Sequence, residues 1–184
     1  MGHDRFIYKV TLLGDGGVGK TSLRKRYLGE GFSSDYLTTI GADFALKRFE
    51  EESISMQIWD LAGQPRFSGV REVYYAGTKG AVLIYDITRP ETFYSITDWI
   101  TELITHRNLD KPLPLVLVAN KTDLTSEDYY PIVEKQQGID YAKQLSDWVK
   151  LEVPFIETSA KTGLNVENTF RTMINNLTSV FQSN

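Results

Sequence analysis

The feature that most constrains this chain is an eight-residue run, Gly14-Asp15-Gly16-Gly17-Val18-Gly19-Lys20-Thr21. It lies between an apolar stretch, Phe6–Leu13, and a segment of helical spacing. The pattern G-x-x-x-x-G-K-[ST] in a strand–loop–helix setting is a phosphate-binding loop. Its glycines allow backbone angles that turn successive N–H groups inward to form an anion nest. The helix that follows presents its N-terminal dipole and free N–H groups to the same anion. Lys20 adds a full positive charge near the β and γ phosphates, and Thr21 offers a hydroxyl to Mg²⁺. Asp15, Gly16, Gly17, Val18, Gly19, Lys20, Thr21 and Ser22 are therefore the candidate phosphate-binding residues. The loop alone chooses neither ATP nor GTP, and neither a kinase nor a hydrolase.

Apolar runs of strand length recur along the chain: Phe6–Leu13, Phe44–Phe49, Ile54–Trp59, Ala81–Asp86, Leu115–Ala119 and Val153–Ile156. Several are nearly continuous, as in strands buried on both faces. Helical spacing follows Gly19 and returns three times. It runs from about Glu91 to His106 (Phe93, Ile96, Ile100, Leu103 and Ile104 on one face), from about Gln137 to Lys150 (Tyr141, Leu145, Trp148 and Val149), and from about Val166 to Phe181. Strands alternating with helices predict a mostly parallel sheet covered on both faces. Phe44–Phe49 and Ile54–Trp59, split by a short acidic turn, predict an antiparallel hairpin at an edge. No repeat or linker divides the chain, so residues 1–184 are expected to form one domain.

Asn120-Lys121-Thr122-Asp123 follows the strand Leu115–Ala119, at the end of the sheet where open α/β folds bind ligands. The Asp123 carboxylate can accept from guanine N1–H and N2–H₂ together, a donor pair that adenine lacks. Facing adenine it would be left unpaired, which makes rejection strong. The stem of Lys121 can cover the base plane, and Asn120 can tie neighbouring loops. Glu157-Thr158-Ser159-Ala160-Lys161 follows the last strand. There the Ala160 N–H can donate to guanine O6, with Ser159 and Lys161 packed nearby.

Two segments can sense the γ-phosphate. Asp60 ends an apolar strand, as a carboxylate linked to Mg²⁺ through bound water should. Beside it, the Gly63 N–H can bond the γ-phosphate and Gln64 can orient the attacking water. Upstream, the Thr39 hydroxyl can join Thr21 and Asp60 around Mg²⁺ while its N–H meets the γ-phosphate. The candidate catalytic set is Lys20, Thr39, Gly63 and Gln64.

The bulk composition excludes several classes. The formal net charge of −4 argues against a nucleic-acid partner. The absence of cysteine removes disulfides, thiolate metal sites, thiol catalysis and any prenyl or palmitoyl anchor on this chain. No apolar run approaches the roughly 20 residues that span a bilayer. A cytoplasmic monomer is the expectation.

With these motifs in order, GDGGVGKT, TTIGADF, WDLAGQ, NKTD and ETSAK, the chain resembles the Ras superfamily of small GTPases, most closely its Rab-like branch, from about Phe6 to Phe181. The resemblance implies the P-loop NTPase three-layer sandwich, with a six-stranded sheet, one antiparallel edge strand and helices on both faces. It implies Mg²⁺ and bound GTP or GDP. It places Phe32 edge-on to guanine and Tyr36 over the phosphates. Phe44, Trp59 and Tyr74 match an effector-facing aromatic patch, for which ordinary sheet packing is the alternative. The partners implied are an exchange factor, an activating protein and effectors. Peripheral membrane association and vesicle traffic are implied by family alone.

The chain departs from the family pattern in two places. Pro65 replaces the usual Glu after Gln64, which removes an N–H and a carboxylate and fixes φ. The stretch between Asp123 and Ser159 is long, with the excess placed at Ser126–Ile132 and Ser146–Leu151. Two other functions compete with a hydrolysing switch. A GTP-binding scaffold without hydrolysis would not need Thr39, Asp60 and Gln64. A small-molecule kinase would need an acceptor site and basic lid residues, neither of which is evident.

Overall fold

The structure is a computed structural model, and it describes residues 6–31, 39, 41–64, 68–107, 111–124 and 132–182. Its elements are β1 (Phe6–Leu13), α1 (Lys20–Tyr27), β2 (Ala42–Phe49), β3 (Ile54–Leu61), α2 (Ser68–Tyr75), β4 (Gly80–Asp86), α3 (Pro90–Tyr94), α4 (Ile96–His106), β5 (Leu115–Asn120), α5 (Lys135–Val149), β6 (Phe155–Glu157) and α6 (Val166–Gln182). The strands form one sheet in the order β2-β3-β1-β4-β5-β6. All neighbouring pairs are parallel except β2 with β3. This is the expected sheet with one antiparallel edge strand.

The continuous apolar runs have a simple cause. Alternate residues of a strand point to opposite faces, and here both faces are covered. Tyr8, Val10 and Leu12 of β1, with Val82, Ile84, Val116 and Val118, enter one core. Leu23 and Tyr27 of α1 and Phe170, Met173 and Leu177 of α6 close it. Leu13, Leu83, Tyr85 and Leu117 enter the other core, closed by Tyr75 of α2, Phe93 of α3, Trp99 and Leu103 of α4, and Leu145 of α5. On this second side the outer end of the sheet carries exposed apolar residues, Ile7, Phe44 and Leu46.

Several elements differ from expectation. The helix predicted from Glu91 to His106 is interrupted at Ser95 into α3 and α4, where the Ser95 hydroxyl donates back to the Glu91 carbonyl. Ile104, placed on the buried face by its spacing, is 42% exposed, and Trp148 is 47% exposed. Gly138 and Ala142 take up the buried side of α5 with Leu145. Helix α2 has no counterpart in the predicted helices. Eight residues with Gly69 in the first turn are too short for a period to stand out. The last strand starts two residues later than predicted, ends one residue later and has only three residues. Of the long stretch after Asp123, residues 125–131 lie outside the described residues. At its far end, α5 terminates at Lys150 in the left-handed region, φ 57°, and the Ser146 hydroxyl accepts from the Val153 N–H.

The chain passes from β1 to β3 on one side and then back to β4 on the other. The crevice above the carboxyl end of β1 is therefore the topological switch point, where such sheets bind ligands. Gly14 opens that crevice. Its φ is +141°, and a Cβ there would overlap the Ile84 carbonyl oxygen. Gly14→Ala is expected to lower stability by about 2–4 kcal/mol. A urea midpoint unchanged from the parent would contradict the close approach of the loop to β4.

Candidate functional site

The phosphate loop curls between β1 and α1, and Lys20 lies within it. The ammonium donates to the Gly14 carbonyl at 2.6 Å and the Asp15 carbonyl at 3.0 Å. Burial pushes the Lys20 ammonium down to about 8, against the opposing charges of Asp60 and Asp15. A bound anion would favour the charged form. Gly63 packs directly on this loop: a Cβ there would lie 2.5 Å from the Gly14 carbonyl oxygen and would overlap Lys20 Nζ. Only a residue without a side chain permits that approach.

Beside Lys20 three oxygen-bearing side chains meet. The Thr21 hydroxyl donates to Asp60 Oδ2 at 2.5 Å and lies 3.1 Å from the Thr39 hydroxyl. Asp60 is fully buried, and its second oxygen, Oδ1, has no hydrogen-bond partner. Burial pushes its carboxyl above the usual range, although the Thr21 hydroxyl and the Lys20 charge oppose this. A buried carboxylate with an orphaned oxygen calls for a cation. Two hydroxyls and one carboxylate suit Mg²⁺, which takes few protein ligands and completes its shell with water and phosphate oxygens. Among the described residues no cluster of three or more His, Cys, Asp or Glu competes for that role.

The two segments expected to read the base form a second cluster, joined to the first by Asn120. This buried side chain donates from Nδ2 to the Val18 carbonyl of the phosphate loop at 2.8 Å. Its Oδ1 accepts from the Thr158 hydroxyl at 3.0 Å and the Ala160 N–H at 3.3 Å. The Ala160 N–H assigned to guanine O6 is thus already engaged, though by a long bond that a purine oxygen would have to share. Thr122 adds bonds from its N–H and hydroxyl to the Thr158 carbonyl. Asp123 Oδ1 accepts from the Ser159 hydroxyl at 2.6 Å, and Lys161 Nζ lies 3.9 Å from Oδ2. Lys121 adopts φ 70°, which is costly for a side chain with a Cβ, and its ammonium is held by Asp86 Oδ2 at 2.6 Å.

Asp86 was not singled out in the sequence, yet it ends β4 as Asp60 nearly ends β3 and Asn120 ends β5. That shared placement was the available signal. It accepts from Lys121, from the Thr88 N–H at 2.9 Å and hydroxyl at 2.7 Å, and from Arg89 Nε at 3.2 Å. Arg89 in turn donates to the Gly16 carbonyl at 3.0 Å. Burial alone would raise the Asp86 carboxyl, but the bonds and charge of Lys121 and Thr88 hold it below the usual range. Asp86→Asn is therefore expected to cost about 1.5–3 kcal/mol, because Lys121 loses its counter-ion but is a third exposed to solvent. The sign follows from the depressed pKa. The carboxylate's contribution is complete above about pH 4 and fades as pH falls through the lower folded value. Denaturant melts should show a constant gap between parent and variant from pH 8 to 5, narrowing only below about pH 4.

A cleft of about 570 Å³ opens beside the loop, lined by Asp15, Gly63, Gln64, Arg71 and Trp99 among others. The sequence singled out neither Arg71 nor Trp99. Phe32, Tyr36 and Pro65 lie outside the described residues. On the outer sheet face, Phe44 stacks on Trp59 at 5.0 Å between ring centroids, and Trp59 meets Tyr74 at 5.8 Å. Phe44 is 56% exposed, whereas Trp59 and Tyr74 are half-buried and pack against the second core.

A family model described as "Ras family" matches residues 9–179. "Ras-related protein Rab7" of Pisum sativum is 39% identical over 173 residues, which cover 92% of this chain and 81% of the relative. "Ypt/Rab-type GTPase YPT7" of Saccharomyces cerevisiae is 40% identical over 169 residues, covering 89% and 78%. The phosphate loop on a doubly covered parallel sheet and the match over nearly the whole chain agree: this protein is a GTPase of the Ras family, in its Rab-like branch.

Proposed function

We propose that this protein is a guanine-nucleotide switch that holds GTP or GDP with Mg²⁺, hydrolyses GTP slowly on its own, and signals through segments that respond to the γ-phosphate. The observation that carries this reading is the meeting of Thr21, Thr39 and Asp60 beside Lys20, with Asp60 Oδ1 buried and unpartnered. Thr21, Thr39 and Asp60 would hold Mg²⁺, directly or through water. When bound, the ion would supply positive charge that offsets the charge of the phosphate oxygens.

The chain's own groups do the rest. Lys20 and the loop N–H groups would stabilise the charge that gathers on the γ-phosphoryl oxygens. Gln64 orients a water for in-line attack, the bond to the β–γ bridging oxygen breaks, and GDP and phosphate leave. Attack without a covalent enzyme intermediate is the family's general mechanism. Arg24, Arg71 and Arg89 are paired with Asp43, Glu102 and Asp86. That supports an arginine or equivalent group supplied by an activating protein, worth roughly 10³–10⁵ in rate.

Loss of the γ-phosphate would release Thr39 and Gly63, and with them the segments on either side of the aromatic surface. Phe44, Trp59 and Tyr74 supply the partner contact, because an exposed aromatic ring backed by two half-buried ones suits an interface core. The Rab-like relationship supports exchange factors, activating proteins and effectors as the partner classes, and membrane traffic as the setting. No helix among the described residues is long and apolar enough to cross a membrane.

The test is to identify by chromatography the nucleotide carried by the purified protein, then to measure GDP affinity with and without Mg²⁺ and single-turnover GTP hydrolysis. Guanine nucleotide, a strong Mg²⁺ dependence and measurable turnover are expected. Adenine nucleotide or indifference to Mg²⁺ would overturn the reading, and binding without turnover would reduce the protein to a scaffold.

A further inference from the structure

Arg71 lies on α2, outside every motif, yet it is almost completely buried, with 4% of its side chain exposed. One terminal nitrogen, Nη1, donates to two carbonyls, Ala62 at 3.2 Å and Gln64 at 3.0 Å. Its other two nitrogens grip one carboxylate: Nε reaches Glu102 Oε1 at 3.1 Å and Nη2 reaches Oε2 at 2.9 Å. The Tyr75 hydroxyl donates to the same Glu102 at 3.1 Å. The guanidinium lies 4.3 Å from the centre of the Trp99 ring. That indole donates to Asp15 Oδ1 of the phosphate loop at 2.8 Å.

The two carbonyls flank Gly63, and their direction has a consequence. A trans peptide is a rigid plane in which C=O and N–H point opposite ways. The Ala62 carbonyl shares its plane with the Gly63 N–H. Holding that oxygen aims that N–H. Glycine has little intrinsic preference for one peptide orientation, so the aim has to come from outside the segment. The second bond fixes the carbonyl of Gln64 itself. The bidentate pair with Glu102 and the stack on Trp99 prevent the guanidinium from following the segment if it turns.

We infer that Arg71 is a positioning residue for GTP hydrolysis: braced by Glu102 and Trp99, it sets the Gly63 N–H toward the γ-phosphate and anchors Gln64 for the attacking water. This rests on the roles proposed for Gly63 and Gln64, and it adds a tie between α2, α4 and the phosphate loop.

Arg71→Lys keeps the charge but cannot bridge two carbonyls and a carboxylate in one plane. Single-turnover GTP hydrolysis should fall by about tenfold to a hundredfold, as small misplacements of reacting groups do. GDP affinity should stay within about threefold, because GDP lacks the phosphate that Gly63 contacts. The ratio of affinity for a non-hydrolysable β,γ-imido GTP analogue over GDP should fall with the rate, which a merely structural role would not produce. Glu102→Gln, which weakens the brace and leaves Arg71 in place, should move both readouts the same way by less. In a Gln64→Leu background the rate effect of Arg71→Lys should shrink to the part carried by Gly63. Folded variants whose rate and affinity ratio both match the parent, or whose rate losses multiply fully in the double variant, would overturn the inference. If Gln64→Leu alone leaves the rate unchanged, the failure lies with Gln64, and the analogue-to-GDP ratio still decides whether Arg71 aims Gly63.

Discussion

Replacing Asp123 by asparagine is expected to lower GTP affinity by about 10²–10³ and to turn the preference toward xanthine nucleotides. The Ser159 hydroxyl donates to Oδ1 at 2.6 Å, so the amide oxygen of the variant keeps that position and its nitrogen falls where Oδ2 was. Guanine then meets a donor where its own N2–H₂ needs an acceptor. A hydrogen bond to a charged group is worth about 1.5–3 kcal/mol, and an unpaired buried donor adds a similar cost. Xanthine carries a carbonyl at the same place and accepts from the new amide. Competition binding of GDP and xanthosine diphosphate to parent and variant measures the change. A variant that still prefers GDP by the parental ratio would remove Asp123 from base recognition.

The second large effect is kinetic. Gln64→Leu should reduce single-turnover hydrolysis by about 10² or more while GTP and GDP affinities stay within about threefold. Leucine approximates the volume of glutamine but can neither accept from nor donate to a water. The phosphate cradle, Lys20 and the oxygens of Thr21, Thr39 and Asp60 are untouched by the change. Because the interaction lost is made in the transition state, the rate falls and ground-state binding does not. Rapid-mixing measurement of phosphate release against nucleotide affinity separates the two. Equal turnover in parent and variant would mean that another group orients the water.

The parts of this site that were legible in the sequence are those whose chemistry is written in consecutive residues. The glycine-rich loop with Lys20 and Thr21 needs a strand before it and a helix after it, and both periods were present. Asp60 and Asn120 announced themselves as polar residues at the ends of apolar strands. Asp86 stands at an equivalent place but had no motif around it, and its partner Lys121 comes from another loop. The brace around Gln64 was harder still. Trp99 fits a helical apolar face, and nothing local shows that its N–H reaches Asp15, 84 residues away in sequence. Arg71 and Glu102 look like solvated charges until α2 and α4 are laid side by side. Helix faces failed for a related reason. Spacing puts Ile104 and Trp148 near the buried stripe, but whether a neighbour extends far enough to cover them is decided by packing. The break at Ser95 likewise depends on a side chain bonding its own helix backbone.

Trp59 and Asp60 are consecutive residues of a single pleated strand, so they necessarily project to opposite sides. One reaches the buried oxygens beside the phosphate loop, and the other lies between Phe44 and Tyr74 on the outside. In the function proposed here, chemical state and molecular recognition would thereby be separated by one amide. A protein docked against the indole bears on the same short length of backbone that carries the carboxylate, and no chain of intervening side chains is required. With those proposed roles, a partner that shifts the strand would alter how firmly the nucleotide is retained, and by thermodynamic reciprocity the nucleotide would alter how firmly the partner is retained.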